Sequence, residues 1–306
     1  MRPLSEESGS HLHAGLVSST FAKAQWTLDT LVFPHLPSKP ISKLTAADFL
    51  LPLRKVESRG HNETAHRAKQ RCGQVMRYAV ATSRAERDVT VDLKGALAPV
   101  VTSNRPAITD PVGIGQLLRA IDGYQGHQAT CYALKLAPHL FTRPTELRAA
   151  EWSEFDLDAA EWRIPAERMK MGTGHVVPLS RQVLVLLRQL RAETGKGRYL
   201  FPSVRSTLRP ISDNTMNAAL RRLGYSKDEM CGHGFRAMAS TTLNELGLAS
   251  DVIELQLAHK ERNKVRASYN RATRLPERKE LMRLWSDHLD KLRQNAATVP
   301  GQQKAA

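Results

Sequence analysis

Residues 232–241 read GHGFRAMAST and place a histidine and an arginine three positions apart at a predicted helix start. That spacing puts His233 and Arg236 on one face of the helix. The flanking glycines let a ligand approach the backbone closely, and a helix N-terminus favours an anion such as phosphate. The stretch therefore predicts a phosphate-binding turn. A lone histidine or arginine is more often a solvated or hydrogen-bonded side chain, so other residues must complete a site.

Four more residues in comparable local settings are candidates for the same site. Arg143 precedes a proline at another predicted helix start, and Lys170 stands just before the Gly-containing turn 172–174 of a predicted hairpin. His259 ends the apolar helix DVIELQLAH, and Tyr269 follows ten residues later. Each of them taken alone has an ordinary structural explanation. Their order and settings, taken together, favour one catalytic site.

The charge balance of the chain indicates a polyanionic partner. Its 306 residues contain 45 Lys and Arg against 30 Asp and Glu, a formal net charge of +15. An excess of this size suits nucleic acid, although a merely basic soluble protein is the alternative. Region 21–108 alone holds 14 basic against 7 acidic residues.

Cysteine usage and hydropathy exclude several classes of protein. The three cysteines, Cys72, Cys131 and Cys231, are odd in number and widely spaced, which suits reduced thiols better than disulfides. Since they form no CxxC pair, no zinc site is predicted. No run of eighteen apolar residues and no signal-peptide-like N-terminus is found, so we expect a cytoplasmic protein without a membrane partner.

Composition and periodicity divide the chain into five segments. Residues 1–20 and 296–306 lack periodicity and are predicted to be tails. Residues 21–95 have helical patterning, and residues 96–108, with two prolines, are predicted to be a linker. A second domain is expected over 109–295. Because helical patterning predominates and the predicted strands are few and short, the expected fold class is mainly α with a small antiparallel β-sheet.

A basic and polar stripe is predicted on one helix of the first domain. Between residues 62 and 82, apolar residues recur at helical spacing. The opposite side carries Arg67, Arg71, Gln74 and Tyr78, which would suit a DNA groove. A solvated helix face is the simpler explanation of such a stripe.

The second domain shows several start signals for helices and strands. Asp110 is a predicted N-cap, an apolar helix is expected from about Thr130 to Leu140, and Ser180 and Ser212 are predicted to cap two more helices. Three short strands are predicted at 152–158, 161–170 and 175–180.

Seven strings spread over the chain carry a family resemblance. They are FTRPTELRAAEWSEFDLD, WRIPAERMKM, HVVPLS, FPS, NAALRRLGY, GHGFRAMAST and QLAHKERNKVRASYNRA. Together they resemble prophage and satellite-phage integrases of the tyrosine recombinase family. The resemblance covers roughly residues 21–293 and is specific, whereas the HxxR pair alone would be weak evidence.

The resemblance implies a site-specific recombinase with a tyrosine nucleophile. Tyr269 would attack phosphorus and form a 3′-phosphotyrosyl link. Arg143 and Arg236 would bind the phosphate bidentately and stabilise the transition state. No metal or other cofactor is expected, because the arginines supply positive charge and the phosphotyrosyl ester retains the bond energy for rejoining.

The resemblance also assigns the proton transfers. Lys170 would protonate the departing 5′-oxygen, His233 would take the tyrosine proton, and His259 would donate a hydrogen bond to the phosphate. Glu146 stands at the family's acidic position three residues after the first arginine, where it would steady the active site.

The partners implied by the resemblance are DNA and further copies of the chain. The two domains would clamp double-stranded DNA, and protomers would associate on it from dimer to tetramer, with accessory DNA-bending proteins. A helix is predicted within 275–293, with Leu281, Leu284, Trp285, His288, Leu289 and Leu292 on one side. That side would either pack on its own domain or dock on a neighbouring protomer.

Two departures from the family pattern leave alternatives open. Full-length integrases of this group usually begin with an arm-site DNA-binding domain, which we expect to be absent because the matching sequence starts near Phe21. Thr145 replaces a common glycine, and Gly172-Thr173 occupy a turn that is often basic. The alternatives are a DNA-binding remnant with impaired catalysis and a type IB topoisomerase-like enzyme that relaxes DNA.

Overall fold

The computed structural model describes residues 18–101, 104–170, 172–259 and 273–295. The chain divides between residues 103 and 104 into two compact units. Helices predominate, and the strands form small antiparallel sheets, so the predicted fold class is confirmed. None of the helices in these ranges is long and apolar enough to cross a membrane.

The first unit is helical. Its α-helices are α1 Ser18–Trp26, α2 Ala46–Glu57 and α3 Asn62–Ala81, joined or followed by short π- and 3-10-helical segments at Thr27–Val32, Phe33–His35, Ile41–Lys43 and Val89–Leu93. A capping box starts α2, because the Thr45 hydroxyl accepts from the Asp48 amide and the Asp48 carboxylate accepts from the Thr45 amide. Leu53, Cys72 and Met76 lie in the core of this unit.

The linker predicted at 96–108 is in part held by the two cores. Leu97 is buried in the first core, and the Ala98 amide donates to Glu57 Oε1 at 2.6 Å. Ile108 packs against the core of the second unit. Each end of the predicted linker therefore packs against the compact unit that it adjoins.

The second unit contains eight α-helices in the described ranges and two small sheets. The helices are α4 Pro111–Asp122, α5 Gln128–Leu140, α6 Pro144–Arg148, α7 Arg181–Thr194, α8 Thr215–Arg222, α9 Gly234–Glu245, α10 Ser250–Gln256 and α11 Leu275–Asn295. As predicted, Asp110 caps α4 by accepting from the Gly113 amide at 2.6 Å, and Ser180 caps α7 by accepting from the Val183 amide at 3.3 Å. The prediction for Ser212 is wrong, because α8 starts after Asn214 and the Ser212 hydroxyl bonds the Thr215 hydroxyl instead.

The larger sheet has the order β1-β2-β3 and is antiparallel throughout. Its strands are β1 Phe155–Asp156, β2 Glu161–Ile164 and β3 His175–Pro178, with Trp162 opposite Val177. The strand predicted over 161–170 is therefore shorter in the structure. Proline has no amide hydrogen to donate, so β2 ends before Pro165 and a 3-10 segment, Ala166–Arg168, follows. Strands β4 Pro202–Ser203 and β5 Ser206–Pro210 form the second sheet.

The C-terminal helix α11 packs into its own unit. Trp285 is fully buried, its indole nitrogen donates to the Pro138 carbonyl at 2.8 Å, and its ring meets Phe141 edge-on at 6.2 Å. Ser286 is also buried and bonds His139 Nδ1 at 3.0 Å. The buried part of its apolar side, Leu281, Trp285 and Leu289, therefore belongs to the core of the second unit, which is the first of the two predicted roles, whereas Leu284 is 37% exposed.

Candidate active site

Arg143 is held by Glu146 at the start of α6. The Glu146 carboxylate accepts from the Arg143 amide at 2.9 Å through one oxygen and from Arg143 Nη1 at 2.7 Å through the other. Only 3% of the Glu146 side chain is exposed, against 15% of the Arg143 side chain. A buried carboxylate thus fixes both the backbone turn and the orientation of the guanidinium.

Arg236, on the first turn of α9, is a buried cation held by main-chain oxygens. Its Nη1 donates to the Phe141 carbonyl at 2.9 Å, and its Nη2 donates to the Leu257 carbonyl at 2.7 Å. Burial, and then the nearby Arg143 charge, lower the pKa of Arg236 to about 10, so the guanidinium remains protonated at neutral pH. Because carbonyls carry no net charge, its positive charge remains available to an anion.

The end of α10 provides acceptors to both arginines. While Leu257 accepts from Arg236, the next carbonyl, that of Ala258, accepts from Arg143 Nη2 at 3.3 Å. His259 follows, and its Nε2 lies 3.1 Å from Arg236 Nη2 while its Nδ1 lies 2.7 Å from Glu254 Oε2. In the neutral ring this arrangement makes Nε2 the acceptor and Nδ1 the donor.

Two of these carbonyls belong to residues with left-handed backbone. Phe141 has φ of 34° at the end of α5, and Ala258 has φ of 50° after α10. A side chain in this region costs on the order of 1 kcal/mol or more and persists only where packing holds it. Phe141 meets that condition, because it is 1% exposed and contacts Trp285. The strain directs main-chain oxygens at the two guanidiniums.

His233 precedes α9 and is half-buried. Burial, and then the positive charges of Arg105, Arg236 and Arg143, lower the pKa of His233 to about 4, so its ring is neutral at pH 7 and can accept a proton. Packing explains why the residue that follows His233 is a glycine. A Cβ on Gly234 would lie 2.4 Å from the Pro106 carbonyl oxygen, so any side chain there would displace the backbone.

The structure brings four of the six predicted catalytic residues together: Arg143, His233, Arg236 and His259. Lys170 is exposed, and within the described ranges the hydrogen bonds of Arg143, Arg236 and His259 do not involve it. It lies in a turn closed by the Gly172 amide, which donates to the Met169 carbonyl at 3.0 Å. Tyr269 lies outside the described residues.

Comparison with known proteins agrees with this geometry. Residues 111–275 match the phage integrase family, and residues 8–96 match the phage integrase central domain. The chain belongs to the phage integrase family. It is similar to the integrase of Enterobacteria phage P4, with 41% identity over 278 residues that cover 86% of this chain and 63% of that protein. It is also similar to the protein IntB of Escherichia coli K12, with 39% identity over 86% of this chain and 70% of that one.

Solved structures share the fold. A lambda integrase dimer bound to a COC′ core site superposes with a TM-score of 0.68 at 18% identity, over 90% of this chain and 77% of that one. The present chain spans less than two thirds of the length of the P4 integrase.

The stripe predicted on the first unit of this integrase-family chain lies at the surface of α3. Arg67 is exposed and pairs with Glu63 at 2.5 Å, whereas Arg71, partly buried, donates to Gln74 Oε1 at 2.8 Å. Tyr78 is partly buried on the same helix. The four side chains are thus accessible from one side.

A polar network behind the arginine cluster was not predicted. Arg278 on α11 is 4% exposed and donates through Nε to Gln256 Oε1 at 2.9 Å and through Nη2 to the Val176 carbonyl. His175 Nε2 lies 3.1 Å from the Gln256 carbonyl, and burial lowers the pKa of His175 to about 3. These residues are up to 103 positions apart in sequence, so local patterns provide no signal for them.

Among the residues that the structure describes, no group of three or more His, Cys, Asp or Glu side chains is placed to hold an ion.

Proposed function

We propose that this chain is a site-specific DNA recombinase that cleaves and rejoins DNA through a 3′-phosphotyrosyl intermediate, in the integration or excision of a mobile element. The observation that carries the proposal is the pair of clustered guanidiniums, those of Arg143 and Arg236, oriented by Glu146 and by main-chain carbonyls. Two fixed cations of this kind suit the non-bridging oxygens of a phosphodiester. Membership of the phage integrase family supports the same reaction class.

In the proposed mechanism, Tyr269 supplies the nucleophile. Its oxygen attacks phosphorus, the bond from phosphorus to the 5′-oxygen breaks, and a 3′-phosphotyrosyl ester forms. Arg143 and Arg236 stabilise the charge that develops on the phosphate. Both are oriented before DNA binds, so little reorganisation is needed in the transition state.

Three further groups complete the proposed proton transfers. His233, whose ring is neutral at pH 7, accepts the tyrosine proton. Lys170 protonates the departing 5′-oxygen, and His259 donates a hydrogen bond to the phosphate. The His259 role requires Nε2 to act as a donor while Nδ1 keeps Glu254 as its partner.

We further propose that the chain binds double-stranded DNA and associates on it. The similar lambda integrase is a dimer bound to a core site. Strand exchange between two duplexes uses four active sites, so a tetramer is the expected assembly. Arg67, Arg71, Gln74 and Tyr78 are the proposed DNA contacts of the first unit, and accessory DNA-bending proteins remain a prediction.

The nucleophile provides the first test. Tyr269→Phe removes the attacking oxygen and is expected to abolish covalent protein–DNA adducts while leaving DNA affinity nearly unchanged. Adducts would be trapped in detergent on nicked fragments from the genomic DNA on either side of the gene, with Tyr132→Phe as the matched control. Adducts that persist in Tyr269→Phe would place the nucleophile elsewhere. Adducts distributed without sequence preference would instead favour topoisomerase-like relaxation.

A further inference from the structure

Arg168 lies two residues before Lys170 and is anchored beneath the surface. Its Nη1 pairs with the Glu154 carboxylate, and its Nη2 donates to the Glu146 carbonyl at 2.7 Å. The two side chains of the ion pair are 18% and 7% exposed. Glu154 is itself fixed by strand β2, because its other oxygen accepts from the Trp162 indole at 2.9 Å. Arg168 is thus tied to two separate elements of the fold.

One of those elements is the turn that carries Arg143. Glu146 takes part in both contacts: its main-chain carbonyl accepts from Arg168, and its carboxylate orients Arg143. A continuous path of hydrogen bonds therefore runs from Arg143 through Glu146 to Arg168. Since Arg168 is close to Lys170 in sequence, this path joins the phosphate-binding cluster to the proposed general acid.

The backbone around Lys170 is restrained on both sides. Met169 is 6% exposed and anchors the chain immediately before the lysine. After it, the Gly172 amide returns to the Met169 carbonyl at 3.0 Å, with Gly172 at φ of 65°. The lysine side chain itself is exposed and flexible, so the position of its backbone sets the volume its ammonium can reach.

We propose that Arg168, together with Glu154, is a positioning residue for Lys170: it fixes the β2–β3 loop to the Arg143 turn so that the lysine ammonium reaches the leaving 5′-oxygen. The inference rests on the proposed recombinase function. In the step concerned, the Tyr269 oxygen–phosphorus bond forms, the phosphorus–O5′ bond breaks, and Lys170 gives its proton to O5′ and becomes a neutral amine. In this role Arg168 acts through the backbone of the loop and does not touch DNA.

The size of the effect follows from the geometry of proton transfer. General acid catalysis contributes about 10²- to 10⁴-fold, and a misplacement of about 1 Å can cost about 10²-fold. Loss of the Arg168 anchor should therefore slow cleavage on the order of 10²-fold. The loss should be confined to the step that requires a proton.

A substrate that needs no general acid provides the test. In 5′-bridging phosphorothiolate DNA the leaving group is a thiolate, and because a thiol is a far stronger acid than an alcohol, this group departs without protonation. Single-turnover cleavage is measured on ordinary and phosphorothiolate DNA for wild type, Arg168→Gln, Lys170→Ala and Arg236→Lys. Arg168→Gln and Lys170→Ala should be slow on ordinary DNA and return to near the wild-type rate on the thiolate. Arg236→Lys should be slow on both.

The matched control is Arg163→Gln on the neighbouring strand. Arg163 pairs with Glu161 at 2.9 Å, but 60% of its side chain is exposed and its loss should leave both rates unchanged. If Arg168→Gln does not fold, Glu154→Gln removes the charge of the partner while keeping an acceptor for Trp162, and the same rescue is expected.

Provided that the wild-type protein cleaves DNA, either of two outcomes would overturn the inference. One is an Arg168 or Glu154 variant that cleaves ordinary DNA at the wild-type rate. The other is an equal loss on both substrates, which would mean a general structural role. A wild-type chain that forms no adduct with either substrate would overturn the recombinase function itself, and the positioning role with it.

Discussion

Arg236 is a cation in the interior of the second unit, with its guanidinium fork matched to two carbonyls from different elements. Phe141 and Leu257 each accept from a different nitrogen, and His259 shares the second. A lysine would carry the same charge on a single nitrogen and could not maintain this planar geometry. The guanidinium is thus already oriented in the absence of DNA, which is what the proposed electrostatic stabilisation of a transition state requires.

Arg236→Lys is therefore expected to lower the rate of DNA cleavage by about 10²-fold or more. The rate would be measured in single turnover, with covalent adduct as the product. Arg163→Lys, a surface substitution of the same type, serves as the control and should cleave normally. Near-normal cleavage by Arg236→Lys would contradict the proposed bidentate binding.

At the scale of the element, α11 is part of the core. Trp285 is fully buried against Phe141 and Pro138, and Arg278 on the first turns of the helix bonds Gln256 of α10. The helix therefore supports the elements that carry Arg236 and His259 from behind. Removal of the chain after Ala272 should disrupt the second unit, and not merely assembly on DNA.

Trp285→Ala is expected to destabilise the second unit by about 3–5 kcal/mol, because it leaves a large cavity in a packed core. Hydrogen exchange of the amides in α4 and α5 would report the free energy of opening. Leu284→Ala is the matched control on the same helix. Leu284 is 37% exposed, and its replacement should change that free energy by no more than about 0.5 kcal/mol. If Trp285→Ala lowered the free energy of opening by no more than about 0.5 kcal/mol, as expected for Leu284→Ala, α11 would not be part of the core.

At the scale of the whole molecule, the net charge of +15 is expected to contribute more to the proposed DNA binding than any single residue does. Each phosphate neutralised by a lysine or arginine releases condensed counterions, so affinity falls as salt rises. In the proposed complex, the exposed basic residues of α3 would contribute to this term without reading sequence.

The affinity for duplex DNA should fall steeply with salt. With about six phosphate contacts, the slope of log affinity against log salt concentration would be roughly −5. Replacement of both Arg67 and Arg71 by glutamine should make the slope shallower by about 2, whereas Arg54→Gln on α2 serves as the control. The slope would be obtained from fluorescence anisotropy titrations at several salt concentrations. A slope near zero for the unmodified chain would rule out the clamp.

The sequence by itself determined the features that depend on neighbours a few positions away. Asp110 and Ser180 cap their helices as predicted, since a cap involves residues within three positions. The mainly α fold class followed from the periodicity of apolar residues. The family followed from several sequence motifs that occur in the same order along the chain. Ser212 failed as a cap because its hydroxyl found a competing side-chain partner, Thr215, in a turn before the helix.

Only the tertiary structure decided which distant groups meet. Arg236 and Phe141 are 95 positions apart, and Arg168 and Glu146 are 22 apart, so no local pattern relates them. The apolar side of α11 was equally compatible with a core and with a protomer interface, because both remove apolar surface from water. Packing of Trp285 against Phe141 places the centre of that side in the core, since a side chain already buried in its own unit has no surface left for a partner, whereas Leu284 on the same helix remains 37% exposed.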